Sequence, residues 1–113
     1  MIRFLSVIAV VVALAGTAFA QDAATVAKGR QLYTAQKCQA CHSVAGIGNK
    51  KGALDDVGVR LKADEIRQWI TAAPEMAAKA KAERKPPMKA YPNLASDDLD
   101  ALVSYLASLK NKV

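Results

Sequence analysis

The sequence predicts an all-α domain of three to four helices. Three observations carry this. Apolar residues recur at helical spacing after residue 22, again near residue 66, and again after residue 98. No stretch shows the apolar–polar alternation of a half-buried strand. The segments between the periodic stretches are rich in Gly or Pro, the residues that punctuate loops.

Residues 1–20 differ sharply from the rest. Arg3 is their only charge, Phe4 to Ala15 is apolar apart from Ser6, and Ala18-Phe19-Ala20 has the small-x-small form of a cleavage site. This reads as a secretory signal peptide cleaved after Ala20. An uncleaved anchor is the alternative, since Phe4 to Ala20 approaches the length of about 20 residues that spans a bilayer. With the leader removed, no stable membrane insertion is expected. Residues 21–113 then form one domain. Both phenylalanines fall in the leader, and so short a domain with few aromatics has a thin core. The formal net charge of +6 becomes +5 without Arg3. That favours acidic partners. Nucleic acid is not expected, because no nucleic-acid motif accompanies the charge.

Asp22 is placed to cap a first helix, about Ala23 to Gln36, with Val26, Gly29, Leu32 and Tyr33 on one face. A glycine inside a helix costs about 1 kcal/mol against alanine, and close approach of another helix would explain it. Ser43 to Gly58, with glycines at 46, 48, 52 and 58, is expected to be an irregular loop. A second helix, about Ala63 to Ala72, carries Ile66, Trp69 and Ile70 and is expected to stop at Pro74. Asp64 and Glu65 suit its N-terminal dipole. Glu75 to Arg84 reads as a short solvated helix. Lys85 to Pro92 holds three prolines and is extended and stiff. Ser96 is expected to cap the last helix, whose buried stripe is Leu99, Leu102, Val103, Leu106 and Leu109, with Lys110 and Lys112 at its C-terminal end.

Chemistry concentrates at Cys38-Gln39-Ala40-Cys41-His42. Residues three apart are neighbours on a helical turn, so two thiols there can form thioethers with the two vinyl groups of one porphyrin. The adjacent imidazole can then take the iron. This is the attachment motif of haem c, one per chain, and a buried porphyrin would supply apolar mass that the chain lacks. A thiol-redox CxxC needs no histidine and normally accompanies a βαβ pattern. Structural zinc wants four ligands, and Cys38, Cys41 and His42 are the only Cys and His present.

With one histidine in the chain, the ligand opposite His42 is methionine, lysine, water or nothing. Met88 follows Pro86-Pro87, which stiffen its segment, whereas Met76 follows Pro74 in a helical stretch. A thioether is a weak ligand for ferric iron and needs a preorganised loop, so Met88 is the expected distal ligand. Five-coordinate iron with Met88 at the surface is the alternative. A backbone carbonyl of Gly52, Ala53 or a neighbour is expected on the free ring nitrogen of His42. Trp69, the only tryptophan, is either core or a donor to a haem propionate.

Taken together, these residues resemble a class I monohaem cytochrome c over about Ala24 to Lys110, of the small bacterial periplasmic kind. The resemblance implies a cytochrome c fold with crossed terminal helices around one covalent haem. Gly29 and Tyr33 on the first helix would meet Leu102 and Tyr105 on the last. Two departures stand out. The family often has Gly-Pro in the proximal loop, with the proline carbonyl on the histidine, where this chain has Gly52-Ala53. Many members have proline directly after the ligand methionine, where this chain has Lys89. The implied function is a periplasmic one-electron carrier, not an enzyme, exchanging electrons with redox proteins in a respiratory chain. Lys79, Lys81, Arg84, Lys85 and Lys89 would steer acidic docking surfaces. The alternative is a dedicated cytochrome c subunit of a periplasmic dehydrogenase or oxidase. A third reading, an enzyme or sensor with open iron, lacks a visible acid–base pair.

Overall fold

The computed structural model describes residues 22–111. The expected leader and its cleavage site lie outside the described residues, as does Lys112. Five helices and one short hairpin make up the domain: α1 (Ala23–Ala35), β1 (Ser43–Val44), β2 (Ile47–Gly48), α2 (Val57–Arg60), α3 (Ala63–Thr71), α4 (Ala73–Ala80) and α5 (Ser96–Ala107). Among the described residues, no helix is long and apolar enough to cross a membrane.

Helix α1 begins as expected, with the Asp22 carboxylate accepting from the Ala24 N–H at 3.1 Å. Its buried positions are Gly29 and Tyr33. Both face α5. A Cβ added at Gly29 would collide with the Ala101 carbonyl oxygen and lie 2.6 Å from Cβ of Tyr105. Only a residue without a side chain lets the two backbones meet there. One turn on, the Tyr33 and Tyr105 rings pack edge to face, with centroids 5.7 Å apart and planes at 64°. The terminal helices therefore cross as the resemblance implies, with Gly29 seated on Ala101 and Tyr105. Lys28 and Asp98 bridge the same pair at 3.2 Å, an exposed contact worth at most about 1 kcal/mol.

Helix α5 is more buried than a single stripe requires. Every residue from Ala101 to Ala107 is buried, and Val103 is fully so, whereas Leu99 is half-buried. The reason is that α5 is covered from several sides. Helix α1 takes one face, and α3 packs on another through Ile66 and Ile70. Helix α2 closes over the C-terminal end, where the Gly58 N–H donates to the Leu109 carbonyl at 2.7 Å.

Four expectations need correction. Ser43 to Gly58 is not wholly irregular. β1 and β2 form a two-residue hairpin, followed by a 3₁₀ turn at Lys50–Gly52 and then α2. Pro74 does not end a helix. Ala72 breaks the chain between α3 and α4, and Pro74 occupies the first turn of α4, where a missing N–H costs nothing. The solvated helix accordingly runs Ala73–Ala80 rather than to Arg84. Ser96 is the first residue of α5 and not its cap. Ala95 holds that position without a side-chain bond, and Asp97 and Asp98 in the first turn complement the positive end of the helix dipole instead.

Candidate haem site

The attachment motif folds on the turn that leaves α1. Lys37 takes a left-handed conformation at φ 58°, and Cys38–Ala40 forms a 3₁₀ turn. In a 3₁₀ turn residues three apart eclipse one another, so Cys38 and Cys41 are aligned more closely than an α-helical turn would make them. The Cys41 and His42 N–H groups both donate to the Cys38 carbonyl, at 3.1 and 2.9 Å. No disulfide joins the two cysteines. Among the described residues, no group of three or more His, Cys, Asp and Glu side chains is gathered to hold a metal.

A cavity with ≈ 650 Å³ of atom-free space, part of it open to solvent, lies against this turn, within the range of cofactor pockets. Tyr33 and Cys38 line it at the end of α1, His42 and Leu54 from the proximal loop, and Ile66, Trp69 and Ile70 from α3. Leu102 and Leu106 of α5 form its floor, and Met88 and Tyr91 close it from the proline-rich segment. His42 and Met88, 46 positions apart in the chain, thus face one apolar cavity. Met76 is half-buried in α4 and is not among the lining residues. Cys41 opens instead on a second, more polar depression shared with Lys51, Arg84 and Lys85.

The cavity suits a haem in three respects. Its walls are apolar, as a porphyrin face requires. His42 Nδ1 lies 2.9 Å from the Gly52 carbonyl oxygen, which fixes Nδ1 as the protonated nitrogen and leaves Nε2 for a metal. Tyr33 lines the cavity, and its buried hydroxyl has no hydrogen-bond partner among the described residues, an orphaned polar group of the kind that points to an absent partner. The carbonyl on His42 is that of Gly52. Of the alternatives Gly52, Ala53 or a neighbour, Gly52 is selected because the 3₁₀ turn at Lys50–Gly52 turns its carbonyl inward, while Ala53 pairs with Ser43.

Electrostatics suit ligation. Burial lowers the pKa of His42 from its ordinary value. The Gly52 carbonyl opposes that shift and the Arg84 charge adds to it. The imidazole is therefore held neutral, the form that binds metal. Burial likewise pushes the Cys38 thiol up to about 11, its backbone hydrogen bond opposing and Cys41 adding to the rise. Burial, with smaller contributions from Cys38, Tyr105 and Asp55, raises Tyr33 to about 12.

The sequence profile of the cytochrome c family matches residues 26–110. This chain is a cytochrome c. The family carries covalently attached haem c, and Cys38 and Cys41 fit its CxxCH motif. The chain is also 30% identical over 92 residues to "Cytochrome c oxidase subunit 2" of Alkalihalophilus pseudofirmus, covering 74% of this chain and 25% of the relative. It therefore spans about a quarter of the length of that curated relative. No solved structure matches significantly.

Three features escaped the sequence reading. Tyr91 helps to line the cavity, its N–H donating to the Ile70 carbonyl at 2.7 Å. Alternation or periodicity cannot mark such a residue in an aperiodic segment. Lys51 comes to lie beside Arg84 and Lys85 only through tertiary folding. Arg84, read as one cation in a docking cluster, has its guanidinium bonded to the Cys41 carbonyl.

Proposed function

We propose that this cytochrome c is an exported, periplasmic one-electron carrier. Its haem c is held by thioethers to Cys38 and Cys41 and ligated by His42 and Met88. The observation that carries the reading is that His42 and Met88 line the same apolar cavity while Met76 does not. When bound, haem iron supplies one-electron chemistry, and a methionine ligand favours the reduced state and closes the site to exogenous ligands.

The residues of the chain do the rest. Gly52 fixes the tautomer of His42. Pro86 and Pro87 restrict the segment that presents Met88. The apolar walls exclude water, so the charge change at iron meets little reorganising solvent. Lys79, Lys81, Lys85 and Lys89 are exposed and would attract acidic partners at a distance set by ionic strength. Lys89 also lies over the Tyr91 ring, its Nζ 5.1 Å from the centroid. Residues 1–20 support export and a cleaved leader.

Carbon monoxide binding to the reduced protein at neutral pH tests the reading. Slow or absent binding is expected of a site closed by Met88. Rapid stoichiometric binding would mean open iron. Electron-transfer rate against ionic strength tests the partner: a rate that falls with salt is expected, and a flat response would remove the acidic docking surface.

A second reading has one observation in its favour, the similarity to an oxidase subunit. On that reading the chain is a dedicated cytochrome c component of an oxidase or dehydrogenase. A stable complex surviving purification at native abundance would favour it over a diffusible carrier.

A further inference from the structure

The link between the two sides of the cavity runs through one side chain. Arg84 lies four residues before Met88, in the irregular stretch that follows α4. Its Nη2 donates to the Cys41 carbonyl, between the two residues that the motif commits to haem and iron. Its Nη1 lies so close over Gly52 that a Cβ added there would collide with it. Gly52 is the residue whose carbonyl holds Nδ1 of His42. The same guanidinium, with Lys85 and Pro86, lines the depression that Cys41 opens on.

We propose that Arg84 is a positioning residue for the iron centre: its guanidinium, bonded to the Cys41 carbonyl and laid over Gly52, fastens the segment that carries Met88 to the loop that orients His42. This rests on the reading of Met88 and His42 as the axial ligands. The physical need is clear. Met88 sits in a segment without helical or sheet hydrogen bonds. After Met88, that segment is anchored through Tyr91, by its N–H to Ile70 and by its hydroxyl to the Gln36 carbonyl at 3.4 Å. Before Met88, Arg84 is the anchor. The two prolines then stiffen a span fixed at both ends, which is what a weak thioether ligand requires. A planar guanidinium can bond a carbonyl with one nitrogen while covering a glycine with the other. An ammonium cannot do both.

The test compares haem-loaded wild type with Arg84→Ala, Arg84→Lys and Lys85→Ala. Two signals are followed in guanidinium chloride at fixed pH: the weak ferric sulfur-to-iron absorption band and far-UV helix content. In wild type the band is expected to persist until close to the loss of helix. In Arg84→Ala it should disappear at clearly lower denaturant than the helices do, with the fraction of methionine-ligated protein at intermediate denaturant falling at least several-fold. Arg84→Lys should behave like Arg84→Ala, and Lys85→Ala like wild type. Coincident, unshifted transitions in Arg84→Ala would overturn the proposal, as would restoration by lysine or an equal effect from Lys85→Ala. A wild-type ferric protein with no such band would overturn the Met88 reading itself and this proposal with it, so the two failures are distinguishable.

Discussion

At the crossing of α1 and α5, backbone meets backbone at Gly29 and Ala101, and the flanking Tyr33, Leu102, Val103 and Tyr105 are all buried. Around the cavity the arrangement is reversed. Apart from the buried Ser43, the proximal loop up to Asp56 and the proline-rich segment hold half-buried or exposed residues, joined by a few bonds such as Leu54 N–H to Ser43 O at 2.8 Å and Tyr91 N–H to Ile70 O at 2.7 Å. The helix crossing supplies its own core, whereas the loops gain theirs from the cofactor they enclose. The protein is thus a clasp, packed backbone to backbone and lending only Tyr33, Leu102 and Leu106 to the cavity wall, joined to a cofactor-dependent shell.

The hardest way to break the clasp is Gly29→Val. Its side chain would drive α1 off the Ala101 carbonyl. A loss of about 4 kcal/mol or more is expected, a large share of the roughly 5–15 kcal/mol that stabilises a domain. Thermal unfolding of the haem-loaded variant reads it. An unchanged midpoint would mean the two helices do not meet there.

Removing the cofactor should separate the two regions. In Cys38→Ser with Cys41→Ser, produced without haem, amide exchange is expected to accelerate most in the loops, by about a hundredfold or more at Leu54 and Tyr91. Tyr33 and Val103 should retain more protection. Equal acceleration throughout would dissolve the distinction.

The regions should also differ in pH response. The Tyr33 phenol is raised by burial from 10.0 to about 12, and burial raises Tyr105 in the same direction. The unfolded chain gives up these protons first. Stability of the helix crossing is therefore complete below pH 10 and declines as pH rises from 10 towards about 12. His42 has the opposite sense in the haem-free chain. Its folded value lies below the ordinary 6.5, so the unfolded chain binds the extra proton and stability falls as pH drops through 6.5. Urea midpoints against pH check both limits. Tyr33→Phe should flatten the alkaline decline.

The smallest effect belongs to the hairpin. Ala45 and Gly46, at φ 52° and 78°, make a turn with both central residues left-handed, a conformation that favours Asn-Gly. Ala45 is exposed. Ala45→Asn is expected to add about 0.5–1 kcal/mol, read as a small rise in the thermal midpoint.

What was legible in the sequence follows the same division. The clasp could be read because its signals are local and periodic: Gly29 and Tyr33 fall on one face, as do Leu102 and Leu106. The attachment turn could be read because its chemistry is contiguous from Cys38 to His42. Met88 could be singled out from Met76 because the Pro86-Pro87 pair stiffens its segment, and it is Met88 that lines the cavity. The shell was less legible because its contacts are tertiary. Ala45 at positive φ runs against its own preference, so nothing local announces the hairpin. The choice of Gly52 over Ala53 depends on how the 3₁₀ turn meets Ser43. Arg84 looks like any surface cation until folding brings it over Gly52. Ser96 resembles a cap, but the helix admits it as a first residue.

The ferric absorption spectrum of the haem-loaded protein, recorded for wild type, Met76→Ala and Met88→Ala, tests most directly whether clasp and shell enclose an iron held between His42 and Met88. The weak sulfur-to-iron band should be present in wild type and Met76→Ala and absent from Met88→Ala. A band that survives Met88→Ala, or that disappears in Met76→Ala, would contradict the assignment.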